Sequence, residues 1–336
     1  MNVGIIGCGL IGRKRAAAIG HEHRLVSVAD MNRLRAEELA SQYPSCSVDT
    51  PTALLARKDI EMVIVSTTND ALASLTLSAV ESGKHVLVEK PAARAAAELD
   101  AVIDRAAGRN VVVKVGFNHR FHPALQRAHA IFSEGTLGPL MHIRARYGHG
   151  GRLGYEHEWR ANPKISGGGE LLDQGVHLID LARWFAGDFV EVSGRMTTAF
   201  WPMAVEDNGF LSLATSGGAV AWLHASCTEW KNLFSFEIFC RNGKLQIDGL
   251  GGSYGVERLT CYRMRPEMGP PDTAIWEYPQ PDDSWRQEFV HMADCISGRA
   301  TLLGSLEDAR AALTVVEAIY RLNRGDAKTA HPVKTA

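Results

Sequence analysis

No apolar run in this 336-residue chain approaches the roughly 20 residues needed to cross a bilayer, so no membrane partner is expected. Charge of either sign is not in excess. With 36 Lys+Arg against 38 Asp+Glu the net charge is −2, which offers nucleic acid or an anionic membrane no electrostatic grip. Cysteine is sparse and unpatterned: Cys8, Cys46, Cys227, Cys240, Cys261 and Cys295 form no CxxC and no zinc-like spacing, which points to reduced thiols and no metal site. The N-terminus reads as a strand from Asn2 onward rather than as a signal peptide. Together these absences point to a cytoplasmic location. Internal repeats and low-complexity segments are missing as well.

What is present is a globular composition, 46% hydrophobic and 22% charged, in a chain too long for one ordinary core; two domains are expected. Asn2 to Gly7 is a short apolar strand leading into Gly7-Cys-Gly9-Leu10-Ile11-Gly12, then a helical stretch, then a second strand, Leu25 to Ala29, closing on Asp30. That context turns a glycine motif into a dinucleotide fingerprint. Gly7 makes the turn, Gly9 admits a pyrophosphate and Gly12 permits close helix–strand packing. The helix start then receives the phosphate charge. Asp30 suits ribose hydroxyls and favours NAD, whereas Arg33 is near enough to meet a 2′-phosphate and leaves NADP open.

The alternation continues through Met62–Val65, which ends in Ser66, Thr67 and Asn69; these short polar residues suit ribose and phosphate, and equally cap the helix that follows. His85-Val-Leu-Val-Glu89-Lys90-Pro91 is a strand buried on both faces that must stop at its proline. Lys90 therefore stands at the carboxyl end of a strand, where open α/β sheets bind ligands. A helix over 92–107 and a strand over 111–115 complete five or six parallel strands.

Beyond Arg120 the pattern changes. The stretch 149–163, with Arg152, Tyr155, His157, Trp159 and Arg160, reads as a loop lining a site. Three glycines (167–169) precede a helix in which Asp173 and His177 lie four apart on one face, with Asp180 near the same side. The remainder reads as antiparallel strands with a hairpin at Asn242-Gly243, a proline-rich irregular connection over 264–284, a capping box at Ser284/Gln287 and a last helix after Ser305.

The glycine motif, Glu89-Lys90-Pro91 and Asp173-x-x-x-His177, in that order, closely resemble the glucose–fructose oxidoreductase/inositol dehydrogenase (Gfo/Idh/MocA) family, over Val3 to about Tyr320. The resemblance implies an α/β fold: a Rossmann NAD-binding domain (1–120), then a substrate-binding α/β domain (121–336) with a large, mostly antiparallel open sheet that makes a homodimer or homotetramer. It implies a catalytic set of Lys90, Asp173 and His177. Ser66, Thr67, Asn69, Glu89, Asn118, Trp159 and Arg160 match positions that meet the dinucleotide, and Arg120 and Tyr155 are expected beside the substrate. Relatives often carry histidine three residues after the Asn69 position, and this chain has Leu72. The expected activity is hydride transfer between NAD(H) and a secondary hydroxyl or keto group of a sugar, polyol or sugar derivative, a nucleotide sugar included. The alternatives are an NADP-preferring keto-sugar or imine reductase, and a dinucleotide-binding sensor without turnover.

Overall fold

The structure, a computed structural model, describes residues 1–324. Six parallel strands form the first sheet: β1 (Asn2–Ile6), β2 (Arg24–Ala29), β3 (Ser47–Val48), β4 (Met62–Val65), β5 (His85–Glu89) and β6 (Val113–Gly116), in the order β3-β2-β1-β4-β5-β6. The order reverses between β1 and β4, which places a ligand crevice at their carboxyl ends. β4 and the centre of β5 are wholly buried, as their unbroken Val/Ile/Leu runs require.

Eight strands form the second sheet: β7 (Leu140–Gly148), β8 (Phe189–Thr197), β9 (Asn208–Thr215), β10 (Val220–Ser226), β11 (Leu233–Cys240), β12 (Gly243–Asp248), β13 (Glu257–Arg263) and β14 (Asp272–Tyr278). Their order is β14-β13-β12-β11-β7-β10-β9-β8, and only the β7–β10 pair is parallel. The helix Val176–Ala186 covers the inner face. On the outer face Val220, Trp222 and Phe210 stay exposed.

Three local expectations are corrected. The proline-rich stretch 264–284 holds edge strand β14, flanked by Pro271 and Pro279, where a missing amide costs no ladder bond. The expected helix over 92–107 starts only at Asp100, after a 3₁₀ turn (Ala96–Leu99). Glu98 and Glu317 draw off the Arg94 and Ala96 amides at 2.9 and 2.7 Å. The capping box at Ser284 does not form. Asp283 is the N-cap of the helix Ser284–Ile296 and takes the Gln287 amide, while the Ser284 hydroxyl accepts from Asn118 at 2.9 Å. A reciprocal cap does form at Ser305 and Asp308, before the helix Leu306–Arg324.

The division at residue 120 is crossed late in the chain. Phe289 and Met292 of the helix Ser284–Ile296 pack in one cluster with Val3, Ile5, Met62 and Ile64 of the first sheet. The C-terminal third thus returns to brace the N-terminal sheet.

Candidate active site

At the crevice each motif glycine has its own steric reason. Gly7 sits at φ +100°, and a Cβ there would lie 2.4 Å from the Ser66 carbonyl oxygen. A Cβ on Gly12 would fall 1.9 Å from the Gly7 carbonyl oxygen, so helix and strand can meet only without one. A Cβ on Gly9 would meet nothing within 4 Å: the space in front of it is open. Gly9 also caps the helix Leu10–Ala18 without a side chain, so the first amides of that helix, around Leu10 and Ile11, are available to an anion. Ser66 donates to the Gly7 carbonyl at 2.8 Å and ties β4 to the loop. Asp30 accepts from the Cys8 amide at 2.6 Å and the Asn32 amide at 2.7 Å, standing beside the loop at the end of β2. This arrangement fits the pyrophosphate and ribose of a dinucleotide.

Lys90 follows β5 into the same crevice. Its Nζ donates to the Asp173 carboxylate at 2.5 Å and to the Asp173 carbonyl at 2.7 Å. That carbonyl is reachable because Leu171–Gly175 is a π-helical turn, a departure from regular α-helix often found at functional sites. Arg160 donates to the other carboxylate oxygen at 3.1 Å, and its guanidinium lies over the Trp159 ring. One turn on, His177 is almost fully buried and stacks on His119, with ring centroids 3.8 Å apart and planes 22° from parallel. Lys90, Asp173 and His177 thus share one site, built from β5 and one helix start.

The electrostatics give each group a charge state. Burial opposes ionisation of Asp173, but Lys90 and Arg160 outweigh it and hold the carboxyl below the usual range. Burial, then Lys90 and His122, push the His177 imidazole well below its ordinary value, so it is neutral at neutral pH.

Several expected binding residues have partners within the protein. Arg120 makes a bidentate pair with Asp180 at 2.8 and 2.6 Å and reaches Asp308 at 3.3 Å, all but sealed from solvent. Glu89 is held by Arg15 at 2.6 Å in a buried cluster with Glu288 and Lys114. Asn69 donates to the Ser166 carbonyl at 2.8 Å, fastening the glycine-rich turn to the first domain. Asn118 is spent between Ser284 and His119. Arg33 is exposed and pairs with Glu37 at 2.7 Å along its own helix. Thr67 donates to the Thr68 carbonyl at 3.2 Å. Tyr155 is buried against Trp201 and Cys227, and with Trp159, Arg160, Glu170 and Asp173 it lines the cavity beside Lys90.

Two residues escaped the sequence reading. Glu170, three before Asp173 and seven before His177, is buried with neither carboxylate oxygen hydrogen-bonded. Burial and then Asp173 push its carboxyl well above the usual range. The i, i+3, i+7 spacing was the available signal. His119 carries none, because its role depends on a helix more than fifty residues away. Among the described residues no cluster of His, Cys, Asp and Glu could hold a metal, and all six cysteines are free.

A Rossmann crevice facing a lysine, a carboxylate and a neutral histidine defines an NAD-binding oxidoreductase module joined to an open-sheet domain. Residues 1–117 match the oxidoreductase family with an NAD-binding Rossmann fold, and residues 125–246 match the GFO/IDH/MocA C-terminal domain. The chain belongs to the Gfo/Idh/MocA oxidoreductase family. It is similar to D-glucoside 3-dehydrogenase of Escherichia coli K12, at 30% identity over 67% of this chain and 70% of that protein. It is similar to levoglucosan dehydrogenase of Pseudarthrobacter phenanthrenivorans at 29% identity over 65% of this chain, a match spanning only 59% of that relative's length. A levoglucosan dehydrogenase structure, in complex with NADH and levoglucosan, shares the fold with a TM-score of 0.86 over 96% of both chains, at 23% identity.

Proposed function

We propose that this chain is an NAD(H)-dependent oxidoreductase that transfers a hydride between nicotinamide and a secondary hydroxyl or keto group of a sugar, polyol or sugar derivative. The observation that carries the reading is the convergence of the Lys90 ammonium, bridged to Asp173, and the buried neutral His177 at the carboxyl end of β5. Relatives named for levoglucosan, inositol and glucosides point to the same substrate class.

NAD, when bound by the Gly7–Gly12 loop and Asp30, supplies the hydride acceptor. Everything else is the protein's. Lys90 has three N–H donors, and two are directed at the Asp173 carbonyl and carboxylate, leaving one for a substrate oxygen. That contact stabilises alkoxide character as the carbinol loses its hydride. His177 takes the hydroxyl proton. Its Nδ1 is sealed in without a partner, so Nε2 is the nitrogen open to substrate. Asp173, held ionised by Lys90 and Arg160, accepts from a neighbouring substrate hydroxyl, which favours polyols over simple alcohols.

The test is a pair of pH–rate profiles. Because burial and Lys90 hold His177 below its ordinary value, the acid limb of kcat/KM for oxidation has its midpoint below about pH 6.5. His177→Ala flattens that limb and loses most of the activity, with NAD affinity unchanged. An unaltered limb in His177→Ala would assign the base elsewhere. The exposed outer face of the second sheet, with Val220, Trp222 and Phe210 side by side on β9 and β10, is the surface through which two copies of this chain pair.

A further inference from the structure

We propose that His119 is a positioning residue for His177: a stacked, permanently neutral ring that does for this base what a hydrogen-bonded carboxylate does for most catalytic imidazoles. The proposal rests on His177 being the base. An imidazole that must take and return a proton needs its tautomer and ring plane held, and a carboxylate or carbonyl on the far nitrogen is the common means. His177 lacks one, because its Nδ1 is buried with no hydrogen-bond partner. Rings hold it instead. His119 lies flat against one face at 3.8 Å, while Phe117 and Tyr147 approach edge-on at 6.2 and 6.1 Å.

Two stacked imidazoles raise the question of which one takes the proton, and a chain of hydrogen bonds answers it. Asn118 Nδ2 donates to the Ser284 hydroxyl at 2.9 Å, and Asn118 Oδ1 faces His119 Nδ1 at 3.2 Å. An amide oxygen only accepts, so His119 must carry its hydrogen on Nδ1. Its Nε2 is then a bare lone pair, buried without a partner, and a proton added there would find no acceptor. The groups facing His119 reinforce this: His122 and Tyr147 lie at ring distances of 5.7 and 5.1 Å, Phe234 at 6.1 Å, and the Lys90 charge adds to the penalty on a second cation. The proton therefore goes to His177. The neutral ring of His119 covers one face of His177 and keeps water from it, which holds the imidazole neutral until the hydroxyl proton arrives. Ser284 belongs to the helix that returns from the C-terminal third, so a distant segment sets the state of the site.

The experiment follows the His177 Cε1–H resonance through a pH titration of the unliganded protein, the signal being the one absent from His177→Ala. Profiles of kcat/KM against pH accompany it. His119→Ala removes the stack and lets water reach the ring. The His177 titration is expected to rise by about half a pH unit or more, with kcat down at least about tenfold and NAD affinity unchanged. His119→Phe keeps a neutral ring face, and both titration and kcat stay near those of the unmodified protein. Ser284→Ala unties Asn118 and shifts the titration without touching either imidazole, which keeps the test alive if His119→Ala does not fold. An unmoved His177 titration in His119→Ala, or in Ser284→Ala where His119→Ala does not fold, would reduce His119 to core packing and overturn the proposal. The oxidoreductase reading fails separately, on the acid limb of His177→Ala, because the resonance is read without substrate.

Discussion

Lys90→Met preserves the apolar stem and deletes the ammonium. In the structure that ammonium makes two hydrogen bonds to Asp173, at 2.5 and 2.7 Å, between side chains only 17% and 18% exposed. Loss of such a charge-assisted contact costs about 1.5–3 kcal/mol, because Asp173 is left on Arg160 alone. At about 1.5–2 °C per kcal/mol for a chain of this size, the melting temperature falls by roughly 2–6 °C. The variant is therefore less stable as well as less active, whereas a solvated loop lysine would change neither. Turnover loses the donor on the reacting oxygen, and kcat/KM falls at least about a hundredfold, or ~2.7 kcal/mol of transition-state stabilisation. The stability loss has a pH signature. Despite burial, Lys90 and Arg160 hold the folded Asp173 carboxyl below its usual range. The stabilisation is fully present above the unfolded value of about 3.9 and disappears as pH falls through the folded one. The deficit of Lys90→Met thus persists from neutral pH down to about pH 4 and shrinks below it. Differential scanning calorimetry from pH 3 to 8, with initial rates on an accepted polyol, measures both. Near-normal activity together with an unchanged melting temperature would refute the reasoning.

Asp30 stands at the end of β2 beside the glycine loop and holds the Cys8 amide at 2.6 Å; with Asp30 as the proposed ribose partner, the unmodified protein uses NAD with a clearly higher kcat/KM than NADP, and Asp30→Ser narrows the gap while weakening both; equal use of NADP at the outset would remove the argument. Arg120→Met strands Asp180 in the core without its bidentate partner and costs roughly 3–5 kcal/mol in chemical denaturation, while the KM of whatever folds changes little; a large KM effect without destabilisation would return Arg120 to the substrate. Trp222→Glu, on the exposed outer sheet face, shifts the assembly to monomer in light scattering; an unchanged mass would show that the copies pair elsewhere or not at all.

Much of this site was legible in the chain because it depends on neighbours in sequence. Gly7, Gly9 and Gly12 serve a turn, an open approach and a close crossing within six residues, and each need follows from the backbone alone. Pro91 stops β5 and so delivers Lys90 to the crevice. Asp173 and His177 share a helix face by spacing, and the Asn242-Gly243 turn and the Ser305 cap are equally short-range. What the tertiary structure alone decided was the choice of partner for side chains with several options. Arg120 goes to Asp180 across 60 residues, Glu89 to Arg15 across 74, and Asn118 to Ser284 across 166. In each case a buried polar group must be paired, and its sequence neighbours do not reveal which distant chain segment will supply the partner. The same cause took Ser284 from its expected cap and placed His119 against His177. A hydrogen bond between remote segments is a property of the packed fold, whereas the freedom of a glycine or the restriction of a proline acts on the backbone at its own position, whatever the rest of the chain does.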